Sequence, residues 1–175
     1  LGGTKFLAVN KSNALSGSSK VLPSGDRLGP FTLLRLIGKG SMGAVYLAWQ
    51  EGLNRQVAVK VLMKDRFDQL ITPERFLQEA ETAANLNHPN IVTVYGQGER
   101  EDCIWFAMQF IEGPSLSEWL RRRAKHPVPS RRTIQIAEIR DLARQMLEAL
   151  SCGHASGVVH RDIKPENILW AGNSG

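Results

Sequence analysis

Six residues, Gly38-Lys39-Gly40-Ser41-Met42-Gly43, stand between two runs that both read as β-strands. Phe31-Thr32-Leu33-Leu34-Arg35-Leu36-Ile37 leads in, and Ala44-Val45-Tyr46-Leu47-Ala48-Trp49 leads out, each rich in apolar, β-branched or aromatic residues. The G-x-G-x-x-G spacing alone also opens dinucleotide-binding folds, but there a helix follows the third glycine and an acidic residue comes later. A strand in that place argues against a dinucleotide-binding oxidoreductase and for a hairpin flap. With no Cβ to obstruct them, Gly38, Gly40 and Gly43 let the flap's backbone N–H groups approach phosphates closely. Lys39, Ser41 and Met42 form the rest of the flap, and Val45 at its exit is placed to cover a flat base.

The next apolar run, Val57-Ala58-Val59-Lys60-Val61-Leu62, reads as a third strand. Its period of two puts Ala58 and Lys60 on one face and Val57, Val59 and Val61 on the other. The methyl of Ala58 leaves room for a base, and the amine of Lys60 is one side-chain repeat away, within reach of phosphates. Thr72-Pro73-Glu74 then signals a helix start, with Thr as cap and Pro at the first helical position. Phe76, Ala80, Ala83 and Ala84 fall at helical spacing and are expected to pack on the sheet. Glu79 lies beside that stripe and needs a cation. Glu81, about 200° round the helix from it, is the rival acid. Leu86-Asn87-His88-Pro89-Asn90 ends the helix, and two further strands are expected at 91–95 and 103–110.

The stretch His160-Arg161-Asp162-Ile163-Lys164-Pro165-Glu166-Asn167 gathers the chemistry. Asp162 can accept a proton from an attacking hydroxyl, Lys164 can neutralise charge on a transferring phosphoryl group, and the amide oxygen of Asn167 can ligate Mg²⁺. A base, a point cation and a metal ligand in one short loop suit a reaction whose catalysis is mostly positioning and electrostatics.

The octet resembles the catalytic loop of eukaryotic-like, bacterial-style serine/threonine protein kinases. Glycine flap, strand lysine, helix glutamate and catalytic loop occur in that family's order over roughly residues 29–175. The resemblance implies an α+β, two-lobe fold. A complete small lobe, an antiparallel sheet plus one helix, would be followed by the first part of a helical large lobe. Residues 1–29 are expected as a flexible leader, 30–111 as the small lobe with the start of the hinge, and 112–175 as a truncated start of the large lobe. It further implies that Glu79 pairs with Lys60, that Met108 backs the nucleotide pocket, and that Gln109-Phe110-Ile111 form the hinge whose backbone meets adenine. Ser115 would lie near the ribose, and Leu169 would join the nucleotide-binding residues. Arg161 would meet a phosphorylated activation loop, and His160 would pack rather than transfer protons. The implied function is transfer of the ATP γ-phosphoryl group to Ser or Thr hydroxyls of proteins, with ATP and Mg²⁺ as cofactors and self-phosphorylation among the outcomes. The alternative is a pseudokinase or nucleotide-binding scaffold, against which the presence of Lys60, Asp162 and Asn167 argues. The family's metal-binding Asp-Phe-Gly would lie past Gly175, so residues 1–175 are expected as an inactive fragment.

Composition agrees with that reading. The net charge of +5 and pI near 9.5 permit nucleic-acid binding, but Arg121-Arg122-Arg123 and Arg131-Arg132 come without aromatic interleaving, so no nucleic-acid partner is expected. Cys103 and Cys152 are far apart and form no C-x-x-C pair, which fits a reducing compartment. A cytoplasmic kinase domain is the expectation, with membrane attachment left open. Downstream, 115–124 reads as a short helix and 133–155 as a long one, whose Ile136, Ile139, Leu142, Ala143, Met146 and Leu150 predict a buried stripe. Lys125 to Arg132, with Pro127 and Pro129, reads as a surface insertion.

Overall fold

The computed structural model describes residues 4–6, 21–40, 43–67, 72–160 and 162–170, without the side chains of residues 4–6, 75, 79, 82 and 83. Contacts gather the chain into two units, Val9–Asn85 with Thr93–Phe110, and Leu1–Ala8 with Leu86–Val92 and Ile111–Gly175. Strand β1 (Thr4–Phe6) belongs to the latter.

The first unit is a 6-stranded sheet of β2 (Arg27–Leu28), β3 (Phe31–Gly40), β4 (Gly43–Gln50), β5 (Arg55–Met63), β6 (Val94–Glu99) and β7 (Cys103–Gln109), in the order β2-β3-β4-β5-β7-β6. Every neighbouring pair is antiparallel. The alternation read in β5 decides its two faces. Val57, Val59 and Val61 pack into a core with Leu33, Tyr46, Ala48 and Ala107. Part of the 1–29 segment joins them, since Leu22 and Leu28 are buried in the same core and the Leu22 N–H donates to the Tyr46 hydroxyl at 2.9 Å. Full burial of a leucine is worth about 1.5–3 kcal/mol, enough to hold this stretch on the sheet.

The opposite face carries Ala58 and Lys60 and receives helix α1 (Pro73–Ala84). Phe76 and Ala80 are fully buried, and the Phe76 ring sits 5.1 Å from that of Phe106 in β7. The helix begins where Thr72-Pro73 predicts, with the Phe76 N–H donating to the Thr72 carbonyl. Its packed face is shorter than expected, because Ala84 is exposed; the side chain of Ala83 lies outside the described residues. The strand expected at 91–95 begins instead at Val94. His88-Pro89-Asn90 turns the chain, with the Ile91 N–H donating to the His88 carbonyl, and Ile91 is buried in the other unit's core. An apolar pair, Ile91-Val92, thus satisfies burial without the sheet, which its β-branched character alone could not reveal.

In the second unit, Ser115 caps helix α2 (Leu116–Ala124) by accepting from the Glu118 N–H at 3.2 Å. Helix α3 (Ile136–Ala155) starts at Gln135, whose N–H donates to the Glu138 carboxylate at 2.9 Å in a capping box. The expected stripe on α3 holds only in part. Leu142 and Met146 pack against Leu86, Ile91, Leu116, Ala149 and Ile168, whereas Ile136 and Ile139 are 83% and 52% exposed. The line that goes deepest is Gln145, Ala149 and Gly153, two of them small enough for close approach. Gln145 is tolerated there because its amide oxygen accepts from the buried Asn90 at 2.8 Å and its nitrogen donates to Asp141. Strand β8 (Ile168–Trp170) pairs antiparallel with β1, Lys5 opposite Leu169. Residues 125–132 carry a 3-10 turn at Pro129–Arg131 and lie largely exposed. Among the described residues, no helix is long and apolar enough to cross a membrane, and Cys103 and Cys152 are both free thiols.

Candidate active site

The flap is a hairpin. Gly38 pairs with Val45, Lys39 with Ala44 and Gly40 with Gly43, so the first two glycines are the end of β3 and the third starts β4. Ser41 and Met42 lie outside the described residues. Gly43 is the position where glycine is demanded. Its φ is +109°, and a Cβ built there would stand 2.1 Å from the Val61 carbonyl oxygen of β5. Gly43→Val is therefore expected to destabilise the protein by at least about 2 kcal/mol, since left-handed strain of about 1–3 kcal/mol adds to the clash with backbone. Urea unfolding measures it, and an unchanged midpoint would contradict the geometry.

Lys60 is placed by register. Val45 of β4 and Phe106 of β7 are its partners on the two sides, and Ala58 pairs with Met108. Lys60 is only 2% exposed, with its amine 5.5 Å from the Phe76 ring centroid and 5.7 Å from that of Phe106. The two rings hold the ammonium where their faces favour it. Val45, Ala58 and Met108 are all buried. Phe76 and Phe106 as neighbours of the amine are an addition to the sequence reading. Only the pairing of β5 with β7 brings Phe106 there, and a single strand carries no signal for it. Glu79 lies in α1, one turn on from Phe76, and Glu81 is exposed; the side chain of Glu79 is outside the described residues.

At the end of β7, where the sequence reading expects the hinge, the Gln109 N–H donates to the Thr93 carbonyl at 2.8 Å. The Gln109 side-chain oxygen is buried, without a hydrogen-bond partner among the described residues. Ile111 is buried and opens the second unit's main segment. Ser115 and Leu169, which the sequence reading assigned to nucleotide binding, are bridged antiparallel to one another, and the Trp170 N–H next in line donates to the Pro114 carbonyl at 2.9 Å.

The catalytic-loop residues converge. Asp162 Oδ2 accepts from Lys164 Nζ at 2.9 Å and from Asn167 Nδ2 at 2.9 Å, and Asn167 Nδ2 also donates to the Asp162 carbonyl at 2.9 Å. The turn Pro165–Asn167 makes this possible, its Asn167 N–H donating to the Lys164 carbonyl and carrying the asparagine back over the aspartate. Asn167 is 2% exposed. The Asp162 N–H donates to the His160 carbonyl at 2.8 Å, so His160 braces the loop. Burial would raise the pKa of Asp162, but the hydrogen bonds from Lys164 and Asn167, together with the Lys164 charge, outweigh it and hold the carboxyl below its ordinary value. Arg161 lies outside the described residues.

Residues 31–175 match the protein kinase domain family. The chain belongs to that family. It is 39% identical over 141 residues to serine/threonine-protein kinase PrkC of Bacillus subtilis (strain 168), covering 81% of this chain and 20% of that kinase. Over 152 residues it is 38% identical to serine/threonine-protein kinase PknD of Mycobacterium tuberculosis, covering 87% of this chain and 22% of that one. Among solved structures, the Mycobacterium tuberculosis PknI kinase domain superposes with a TM-score of 0.70 at 31% identity, covering 87% of this chain and 60% of that domain. The chain thus spans 20–30% of the length of the curated kinases it matches. The antiparallel sheet with α1 is the kinase small lobe, and α2, α3 and the catalytic loop are the start of the large one.

Proposed function

We propose that the protein bearing this chain transfers the γ-phosphoryl group of ATP to Ser and Thr hydroxyls of protein substrates. The observation that carries the reading is the ionised Asp162, with Lys164 and Asn167 both on one of its oxygens, within a chain of the kinase family. Asp162 orients the acceptor hydroxyl and takes its proton. Lys164 sits beside that carboxylate, where it meets the negative charge of the phosphoryl oxygens. Lys60 and the backbone of the flap at Gly38, Lys39, Gly40, Ser41, Met42 and Gly43 hold the ATP phosphates. Val45, Ala58, Met108 and the Gln109 backbone of the first unit are assigned to the adenine, as are Ile111 and Leu169 of the second, and Ser115 to the ribose. Glu79 is assigned as the acid that keeps Lys60 in place.

Among the described residues there is no cluster of three or more His, Cys, Asp or Glu that could hold a metal by itself. An ATP-bound Mg²⁺ fits what is present. Asn167 donates its amide nitrogen to Asp162, and the atom of such a side chain that can ligate is its oxygen, a neutral donor that together with phosphate oxygens suits a hard cation. When bound, the ion neutralises charge on the phosphate oxygens.

The test is transfer from γ-labelled ATP by the full-length protein, to itself and to a general acceptor such as myelin basic protein, followed by phosphoamino-acid analysis. Label on Ser and Thr, with none on Tyr, is the expected result. ATP binding without transfer, under conditions where a control kinase works, would replace this reading with a nucleotide-binding scaffold.

A further inference from the structure

Strand β8 begins where the catalytic loop ends, with Ile168 following Asn167 directly. Three contacts hold the far end of this three-residue strand: the pairing with β1, where Thr4 faces Trp170, the Trp170 N–H bond to the Pro114 carbonyl, and an aromatic stack. The rings of Trp170 in β8 and Trp119 in α2 lie 5.1 Å apart and 9° from parallel. The Arg123 guanidinium lies 4.7 Å from the centre of the Trp119 ring, and is itself clamped by both Glu138 oxygens at 3.2 and 2.9 Å and by the Thr133 carbonyl at 2.7 Å. Glu138 is fixed in turn by the capping box of α3. A continuous set of contacts therefore runs from the start of α3 through Arg123 and Trp119 to the residue that ends β8. At that residue the Trp170 N–H holds the Pro114 carbonyl, and at the one before it Leu169 bridges Ser115.

We infer that Trp119 is a positioning residue for phosphoryl transfer: by stacking on Trp170 it sets the lie of β8, and through β8 the placement of Leu169 against adenine and of Asn167 against the metal. The inference rests on the reading of those two residues as nucleotide and metal ligands. Both Trp119 and Trp170 are partly buried against the unit's core. Their loss is nevertheless expected to act locally, because Leu116, Ala149 and Ile168 remain to hold α2, α3 and β8 together. Stacked aromatic pairs contribute enough beyond their area to hold a short strand in one of several orientations.

The test compares Trp119→Leu with Trp119→Phe in the full-length protein. Trp119→Leu is expected to raise the KM for ATP and the Mg²⁺ concentration at half-maximal rate by about threefold to tenfold each, the range a lost aromatic stack allows. Trp119→Phe, which keeps a ring over Trp170, should stay within about twofold of the parent. Hydrogen exchange is the second readout: the Leu169 and Trp170 amides should exchange faster in Trp119→Leu, while those of β5 keep their protection. A purely structural role would lower the active fraction or the melting temperature and leave KM, Mg²⁺ dependence and local exchange unchanged, and that result overturns the inference. If the parent protein transfers no phosphate, the proposed function fails first. Exchange at Leu169 and Trp170, together with ATP affinity measured by calorimetry, then decides the positioning role separately.

Discussion

Asp162→Asn in the full-length kinase is expected to cut the single-turnover rate of transfer by about 10²- to 10⁴-fold, the usual worth of a positioned general base, while ATP affinity changes little. The amide is the same size as the carboxylate, and its oxygen can still accept from Lys164 and Asn167, so the loop's hydrogen bonds survive. What disappears is the negative charge and the capacity to take a proton. The pH dependence follows from the same contacts. Because the folded pKa of Asp162 is depressed, the ionised form and the stability it brings are fully present above the ordinary carboxyl value of about 3.9, and are lost only as pH falls through the lower folded value. No acid limb between pH 5 and 8 should therefore belong to Asp162. Lys164→Met removes the largest opposing contribution to the burial penalty and should move that limb upward. A strongly raised ATP dissociation constant in Asp162→Asn, with an unchanged single-turnover rate, would remove Asp162 from the role of base.

How far the sequence carries this site depends on whether a property is local. The β5 alternation, the helix start at Thr72-Pro73 and the short helix at 115–124 are written in neighbouring residues, and the structure has them where the sequence predicts, α2 starting one residue later with Ser115 as its cap. The strand at 91–95 and the long stripe on α3 are each met only in part, and for one reason. Both were inferred from apolar periodicity, which says that a residue is to be buried but not against what. Ile91 went to the other unit's core, and the deepest line on α3 is Gln145, Ala149 and Gly153, where smallness and a polar pair decide. In the site, residue types were legible and contacts were not. Asp162, Lys164 and Asn167 could be named from spacing, but the turn that lays the Asn167 amide on the Asp162 carboxylate is a product of the backbone at Pro165. Trp119 and Trp170, 51 positions apart, give no sign in the chain that they stack.

Lys60→Met is expected to lower phosphoryl transfer by about 10²- to 10³-fold, comparable with deleting one preorganised donor from a developing negative charge. The fold should survive it. Lys60 is enclosed by Val45, Phe76 and Phe106, and methionine fills most of the volume of the lysine stem while making favourable contacts with both rings. If Glu79 pairs with Lys60 as proposed, the destabilisation that remains comes from that acid, because removing one member of a buried ion pair leaves the other charge uncompensated. Glu79→Gln combined with Lys60→Met should recover that stability without recovering activity, and this double variant separates the two roles. A second comparison sharpens the point. Lys60→Arg keeps the charge but replaces a compact ammonium beside the Phe76 and Phe106 rings with a bulkier planar fork, so its activity should stay close to that of Lys60→Met. Transfer from labelled ATP and thermal melts read both quantities on the same preparations. If Lys60→Met melts much earlier than the parent yet transfers phosphate within a few-fold of it, then the buried amine serves the packing of β5 against α1 and not the phosphates of ATP.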